Sequence, residues 1–395
     1  LCRHLYIISS IIVSLATIFI IHIEYNWGGG FVEDRIAVML ESPKYEIIEY
    51  LKVYLSYIDI ALISYFVLLI IGIFILVKSI EYKFFKIISV TAILLIGAFI
   101  NYKQVAIMTN PSAYIAVGAI NGIFLFHNNQ NKKREFNVKK ENVQCSDRFD
   151  KLLIVIGESV NRDHMSLYGY ERKTTPFFDG LDLIKFDALS PTNQTRSSVP
   201  MVISHGDVQN PENIFRRPVL IEELKKCGYE VYWISNQPRV GKHDTDITAI
   251  ARKSNHIYFT NKEINKVSTY DELVYEKIKD IEIKSNKKQV FFIHLIGSHQ
   301  DYKKRTPEGY KPFGIKTIVD QYDNSIHYSD MVVSKIFNLF PKDKFLFTYT
   351  SDHAEVVSNT KAGHGFIPPY KDEYIVPLVI WGKDLENKKI LNKKT

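Results

Sequence analysis

KLLIVIGES (151–159) decides the fold. Its apolar residues run without alternation, as in a parallel strand buried on both faces, and it breaks at Gly157-Glu158-Ser159. The same unit recurs downstream. YEVYWI (229–234) leads into Ser235-Asn236-Gln237, QVFFIHLI (289–296) into Gly297-Ser298-His299, and KFLFTYT (344–350) into Ser351-Asp352-His353. YIVPLVIW (374–381) is a fifth strand, and IKFDAL (184–189) has strand character as well. Helical stretches fall between them: around 220–227, a charged one near 270–285 and an amphipathic one near 319–340. Strands alternating with helices predict an α/β domain whose mostly parallel sheet is covered on both faces. Sites in such folds lie beyond the carboxyl ends of the strands. Four strand ends therefore bring Glu158, Asn236, His299, Asp352 and His353 to one edge.

The rest of the 395-residue chain is of a different composition. Residues 5–23, 60–77 and 84–100 are apolar stretches of a length that suits a bilayer core needing about 20 residues. The loop KSIEYKFFK (78–86) carries Lys78, Lys83 and Lys86, and short lysine-rich loops stay cytoplasmic. With three spans, the N-terminus is inside and everything after residue 101 is outside. PSAYIAVGAINGIFLF (111–126) is short, holds Asn121 and two glycines, and starts with Asn110-Pro111. It reads as an interfacial or domain-docking helix. The expected organisation is a transmembrane domain over 1–104, an interfacial helix and linker over 105–149, and a catalytic domain over 150–395.

The formal net charge of +7 suits anionic phosphates, nucleic acid or an acidic lipid surface alike, and equally a solvated lysine-rich surface. There are three cysteines, Cys2, Cys145 and Cys227, and no CxxC pair, which argues against a thiolate zinc site. Cys145 and Cys227 are available for one disulfide outside the cytosol, a pairing that sequence does not decide.

Glu158, Asp352 and His353 are oxygen and nitrogen donors suited to zinc, or to manganese if the oxygen share is larger. His299, and His364 in the turn Gly363-His364-Gly365, are candidates for a second metal or for holding a substrate phosphate. Mixed carboxylate and imidazole ligands suit hydrolysis or transfer of phosphoryl groups. The stretch SPTNQTRSSVPMVIS (190–204) offers four hydroxyls as nucleophile: Thr192, Thr195, Ser197 and Ser198. At a helix N-terminus any of them would face an anion-favouring end, but helix capping is the commoner role. Position alone does not choose among the four.

GESVNRDHMSLYGYERKTTPFFD (157–179) closely resembles the signature of bacterial phosphoethanolamine transferases of the alkaline-phosphatase and sulfatase superfamily. YWISNQ (232–237), HLIGSH (294–299), QYDNSIHYSD (321–330) and SDHAE (351–355) look like its later motifs, in the same order. The likeness spans about 105–385 and is nearest to the branch that decorates lipopolysaccharide core or lipid A. It implies N-terminal membrane helices followed by an alkaline-phosphatase-like α/β/α sandwich in the periplasm of a multi-pass inner-membrane protein.

By the same resemblance, Glu158, Thr195, Asp352 and His353 surround a catalytic zinc. Thr195 is singled out because the family's nucleophile lies five residues before a Val-Pro step, here Val199-Pro200. His299 and His364 match histidines that contact the headgroup phosphate or a second zinc, and Asn236 and Gln237 fall where the family has substrate-binding amides. The implied reaction is ping-pong. Thr195 takes phosphoethanolamine from phosphatidylethanolamine, diacylglycerol leaves, and a lipopolysaccharide oxygen accepts the group. The implied partners are those two lipids and the membrane, with no nucleic acid, and the protein is expected to be a monomer.

The family has five spans where three are read here, and the chain starts with Leu1, so two spans are expected to precede it, with a further piece after its last strand. Ala354 stands where the family has Gly, a change that should leave ligation intact. The competing readings are a phosphodiesterase, a lipoteichoic-acid-type transferase, a sulfatase and a non-catalytic binding module. No Cys or Ser in a C/S-x-P-x-R motif lies near Thr195, against the sulfatase reading.

Overall fold

The computed structural model describes residues 142–210, 214, 217–237, 246–261, 270–284, 286–383 and 385, together with isolated residues between 22 and 72. The expected segments at 84–100 and 111–126 lie outside the described residues, as do most of 5–23 and part of 60–77. Among the described residues no helix is long and apolar enough to cross a membrane. The chain divides into two compact units, Leu1–Ser42 with Ile47–Lys132, and Pro43–Glu46 with Lys133–Thr395. The second unit carries the sheet.

Its strands are β1 (Lys151–Gly157), β2 (Ile184–Leu189), β3 (Glu230–Ser235), β4 (His256–Phe259), β5 (Gln289–His294), β6 (Phe345–Ser351) and β9 (Ile375–Gly382), with a small separate hairpin of β7 (Val356–Val357) and β8 (Ala362–Gly363). The seven-stranded sheet has the order β2-β9-β6-β1-β5-β3-β4. β6, β1, β5, β3 and β4 are mutually parallel. In register, Gly157 lies opposite Ser351, and His294 opposite both Ile156 and Ser235. The four strands that end in polar residues therefore terminate level with one another, as the alternating pattern predicted.

Two elements depart from the sequence reading. β9 runs antiparallel to both β6 and β2, because the path from β6 to β9 holds the β7–β8 hairpin and no crossover helix. A chain leaving the carboxyl edge without a helical crossover returns down the sheet. β4 was not anticipated. HIYF is four residues long, only partly buried and at the edge, too short for a periodicity to register.

One face of the sheet packs on α1 (Pro176–Asp179), α5 (Glu272–Lys279) and α6 (Ile318–Phe337), around Leu153, Val155, Ile293 and Phe347. The opposite face packs on α2 (Thr195–Val202), α3 (Leu220–Lys226) and α4 (Asp246–Ala251), around Ile156, Val199, Trp233 and Phe292. The result is an α/β/α sandwich. The expected helix at 270–285 is shorter, since the chain after Asp280 turns and the Gln289 carboxamide caps Lys284 N–H at 2.9 Å. Cys145 and Cys227 form a disulfide that ties the segment before β1 to the end of α3.

Candidate metal centre and nucleophile

β1 ends at Gly157. Gly157 lies so close to Tyr349 that a Cβ there would sit 2.6 Å from the phenol oxygen. Ser159 then takes a left-handed φ of 63°, a conformation that non-glycine residues hold mainly where surrounding structure enforces it. Here its N–H donates to Asp352 Oδ1 at 3.1 Å and its hydroxyl to Glu158 Oε1 at 2.8 Å. Beyond β6, Ser351 Oγ accepts from Val160 N–H at 2.9 Å and donates to the His353 carbonyl at 2.8 Å. The two strand ends are thus bolted together, and Glu158, Asp352 and His353 are fully buried side by side. They offer ligand atoms that all lie within 4.8 Å of one another.

Thr195 is the first residue of α2, where free N–H groups give the helix its positive end. Its Oγ1 lies 3.1 Å and 3.3 Å from the two Glu158 oxygens and 3.2 Å from His353 Nε2. The other three hydroxyls turn elsewhere. Thr192 and Ser197 bond to each other at 2.7 Å, and Ser198 donates to the Asp352 carbonyl.

Two buried carboxylates and an imidazole need a compensating positive charge. Asp352 Oδ2 is buried without a hydrogen-bond partner, although a buried carboxylate oxygen ordinarily has one. Burial and the neighbouring Glu158 charge push the Asp352 carboxyl up to about 7. Burial works against a charge on His353, but the two carboxylates outweigh it and hold the imidazole proton up to about 10. Glu158 is likewise penalised by burial, yet its hydrogen bond to His353 holds it well below the usual carboxylate range. His353 Nδ1 faces the Ala354 carbonyl at 3.0 Å, which turns Nε2 toward the carboxylates as a donor atom. The orphaned oxygen, the donor set and its spacing all fit a divalent cation.

The remaining expected residues fall into two groups. The His364 ring lies 4.1 Å from that of His353 between centroids, tilted by 45°, and His299 lies 6.2 Å from His364, so both imidazoles border the cluster. Gln237 reaches it too, but its amide donates to Glu158 Oε2 and to the Leu295 carbonyl, each at 2.9 Å, and so orients a ligand. Asn236 does not reach the cluster. It is buried, with its amide on Asp271 at 3.0 Å and its carbonyl accepting from Thr260 at 2.9 Å, which makes it an anchor of the strand end.

Three acids escaped the sequence reading. Glu355, the last residue of SDHAE, holds His364 Nδ1 at 2.9 Å and also bonds Tyr302. Burial pushes its carboxyl up to about 7. Asp271 accepts from the N–H groups of Ile296 and Gly297, both at 2.9 Å, and so fixes the turn that leads to His299. Glu373 accepts from the Asn193 amide at 3.0 Å and from Phe366 N–H at 3.0 Å. Glu355 had a signal in its motif, whereas Asp271 and Glu373 lie in segments with none.

Fold and site together define an α/β sandwich with a buried cluster of two carboxylates and an imidazole, spaced as a metal site would be, beside a helix-terminal hydroxyl. The chain belongs to the Sulfatase family, which residues 150–395 match. It is similar to the phosphoethanolamine transferase EptC of Escherichia coli K12, at 30% identity over 259 residues, covering 58% of this chain and 44% of the relative. It is also similar to the Kdo(2)-lipid A phosphoethanolamine 7''-transferase of Salmonella typhimurium, at 26% identity, covering 59% of this chain and 44% of the relative. The chain spans under half the length of these curated relatives. The C-terminal periplasmic domain of Escherichia coli EptC, solved in complex with Zn, superposes with a TM-score of 0.56 at 26% identity, over 62% of this chain and 75% of that one. The integral membrane lipooligosaccharide phosphoethanolamine transferase EptA of Neisseria meningitidis shares the fold, with a TM-score of 0.68 at 18% identity over 95% of this chain and 77% of that one.

Proposed function

We propose that this protein transfers phosphoethanolamine from phosphatidylethanolamine to lipopolysaccharide, on lipid A or a core sugar, with Thr195 as the carrier and zinc as the metal. The observation that carries the reading is the Thr195 hydroxyl, 3.1 Å from Glu158 and 3.2 Å from His353 at the start of α2. Glu158, Asp352, His353 and Thr195 would hold the ion. When bound, zinc would lower the pKa of the threonine hydroxyl and offset charge on the phosphoryl oxygens.

The chain's own residues supply the rest. Thr195 Oγ1 forms a bond to phosphorus as the bond to the diacylglycerol oxygen breaks, and the threonine proton passes by way of the Glu158 carboxylate to that departing oxygen, which leaves as the neutral alcohol. The acceptor oxygen then displaces Oγ1, and the threonine regains a proton. With Glu355, its carboxyl raised to about 7, donating to His364 Nδ1, the neutral imidazole keeps its proton on Nε2 and donates it to a phosphate oxygen, and His299 stands beside it. A threonine at this position supports transfer over sulfate ester hydrolysis, which in this superfamily resemblance uses a Cys- or Ser-derived group.

The reading places the protein in the bacterial inner membrane as a multi-pass monomer with its catalytic domain in the periplasm. The Cys145–Cys227 disulfide supports a compartment outside the reducing cytosol. Thr195→Ala should abolish phosphoethanolamine addition, read by mass spectrometry of lipopolysaccharide from an expressing strain, while metal analysis still finds zinc in the purified protein. Modification at the wild-type level in that strain would overturn the mechanism. Release of free headgroup without lipopolysaccharide modification would make the enzyme a phosphodiesterase.

A further inference from the structure

A run of exposed residues follows His364 in sequence. Residues 367–372, Ile-Pro-Pro-Tyr-Lys-Asp, form six consecutive exposed positions, with Ile367 37% and Tyr370 43% exposed. The foot of this loop is rigidly held. The buried Glu373 carboxylate accepts from Phe366 N–H, Tyr370 N–H and the Asn193 amide, and Ala354 N–H donates to the Glu373 carbonyl at 2.8 Å. Asn193 is two residues from Thr195, and Ala354 adjoins His353. His364, whose ring lies 4.1 Å from that of His353, is three residues before Ile367. Three residues reach at most about 10 Å, so Ile367 lies no further than that from His364.

The tip's chemistry is that of a water–lipid boundary. Its apolar residues are Ile367, Pro368 and Pro369, and its aromatic residue, Tyr370, belongs to a type enriched where bilayers meet water. Lys361 lies 4.3 Å from both the Phe366 and Tyr370 ring centroids and donates to the Tyr370 hydroxyl at 2.6 Å, and Lys371 is exposed beside it. Apolar residues at the tip with ammonium groups at its shoulders match acyl chains below a layer of phosphate headgroups.

We propose that the loop 366–372 seats the catalytic domain on a phospholipid bilayer and brings the headgroup layer level with Thr195. The occupant is the lipid surface itself, and the inference rests on the lipid-substrate reading above for its link to turnover. Docking would present a headgroup phosphate to the cluster without lifting the whole lipid from the membrane.

The test uses the full chain in nanodiscs of phosphatidylethanolamine and phosphatidylglycerol, with two variants. In Ile367→Trp, the added tryptophan emission should be blue-shifted and quenched by lipids brominated on their acyl chains. Ile367→Asp should lower turnover of nanodisc phosphatidylethanolamine by roughly tenfold while leaving turnover of a water-soluble phosphoethanolamine aryl ester unchanged. Emission at residue 367 that is red-shifted and unquenched would overturn the proposal, as would equal loss on both substrates. Shielding that grows with protein concentration but ignores brominated lipid would assign the tip to a second copy instead, and also overturn it. If the tryptophan is quenched but wild type turns over no phosphatidylethanolamine, the docking surface stands and the proposed donor fails.

Discussion

At the scale of single residues, the site consists of a few ligating atoms and the groups that aim them. Glu355 is the clearest of these, since one of its oxygens fixes which nitrogen His364 presents. Partners of this kind typically contribute 10–100-fold in affinity or activity. Glu355→Ala should therefore cut kcat by about that factor while zinc content is retained, measured on the same preparation by metal analysis and single-turnover assay. Asp330 gives a prediction of a different kind. It is buried and accepts from Phe177 and Phe178 N–H at the start of α1. Burial pushes its carboxyl from 3.8 up to about 7. Between those values the unfolded chain ionises and the folded one does not, so this group removes stability as pH rises from about 4 through about 7. The thermal midpoint of wild type should fall over that window, and Asp330→Asn should flatten the fall. A variant with an unchanged slope would rule out this assignment.

At the scale of elements, the turn after β5 shows how closely two strand ends are fitted. Gly297 has φ of 49°, and a Cβ on it would sit 2.8 Å from both the backbone nitrogen and oxygen of Glu158. Ser298 N–H donates to that same Glu158 oxygen at 2.9 Å. Neither clash can be relieved by moving a flexible side chain. Gly297→Ala should displace Glu158, with loss of metal retention and of activity together, whereas Gly309→Ala, strained by its φ of 87° but with nothing within 4 Å and no bond to Glu158, should retain its metal. Equal zinc content in the two variants would show that the turn tolerates a shift. The three clustered residues Glu158, Asp352 and His353 were legible at this scale because each follows a strand. Asp271 and Glu373 were not, since they act by accepting N–H groups from segments distant in sequence.

At the scale of the whole molecule, the Cys145–Cys227 bond joins positions 82 residues apart, from the segment before β1 to the end of α3. A crosslink closing a loop of that size restricts the unfolded chain, an effect of about 4 kcal/mol in the loop-entropy treatment. Replacing both cysteines by serine should lower the thermal midpoint by several degrees without changing kcat, because neither sulfur lies among the site residues. Loss of activity at temperatures where the variant is still folded would contradict this. Removal of metal is the second global test. If the three buried ligands bind in the folded state alone, dialysis against a chelator should lower the midpoint, and added zinc should restore it.

The α/β class and the edge on which the site forms were decided by sequence alone. Buried parallel strands require unbroken apolar runs, and the residue that ends such a run is placed at the sheet's carboxyl edge by topology. Glu158, Asp352 and His353 were readable for that reason. Among Thr192, Thr195, Ser197 and Ser198, by contrast, local sequence offers four equivalent hydroxyls, and a family likeness was needed to prefer one. Tertiary structure distinguishes the four by position: α2 packs its Val199 against the sheet, and the first residue of the helix lies beside Glu158 and His353 while the others bond among themselves or to backbone. The antiparallel course of β9, the inward turn of Asn236 and the clip formed by Glu373 belong to the same category. Each depends on which distant groups meet, and that is settled only once the sheet has closed and its two faces are covered.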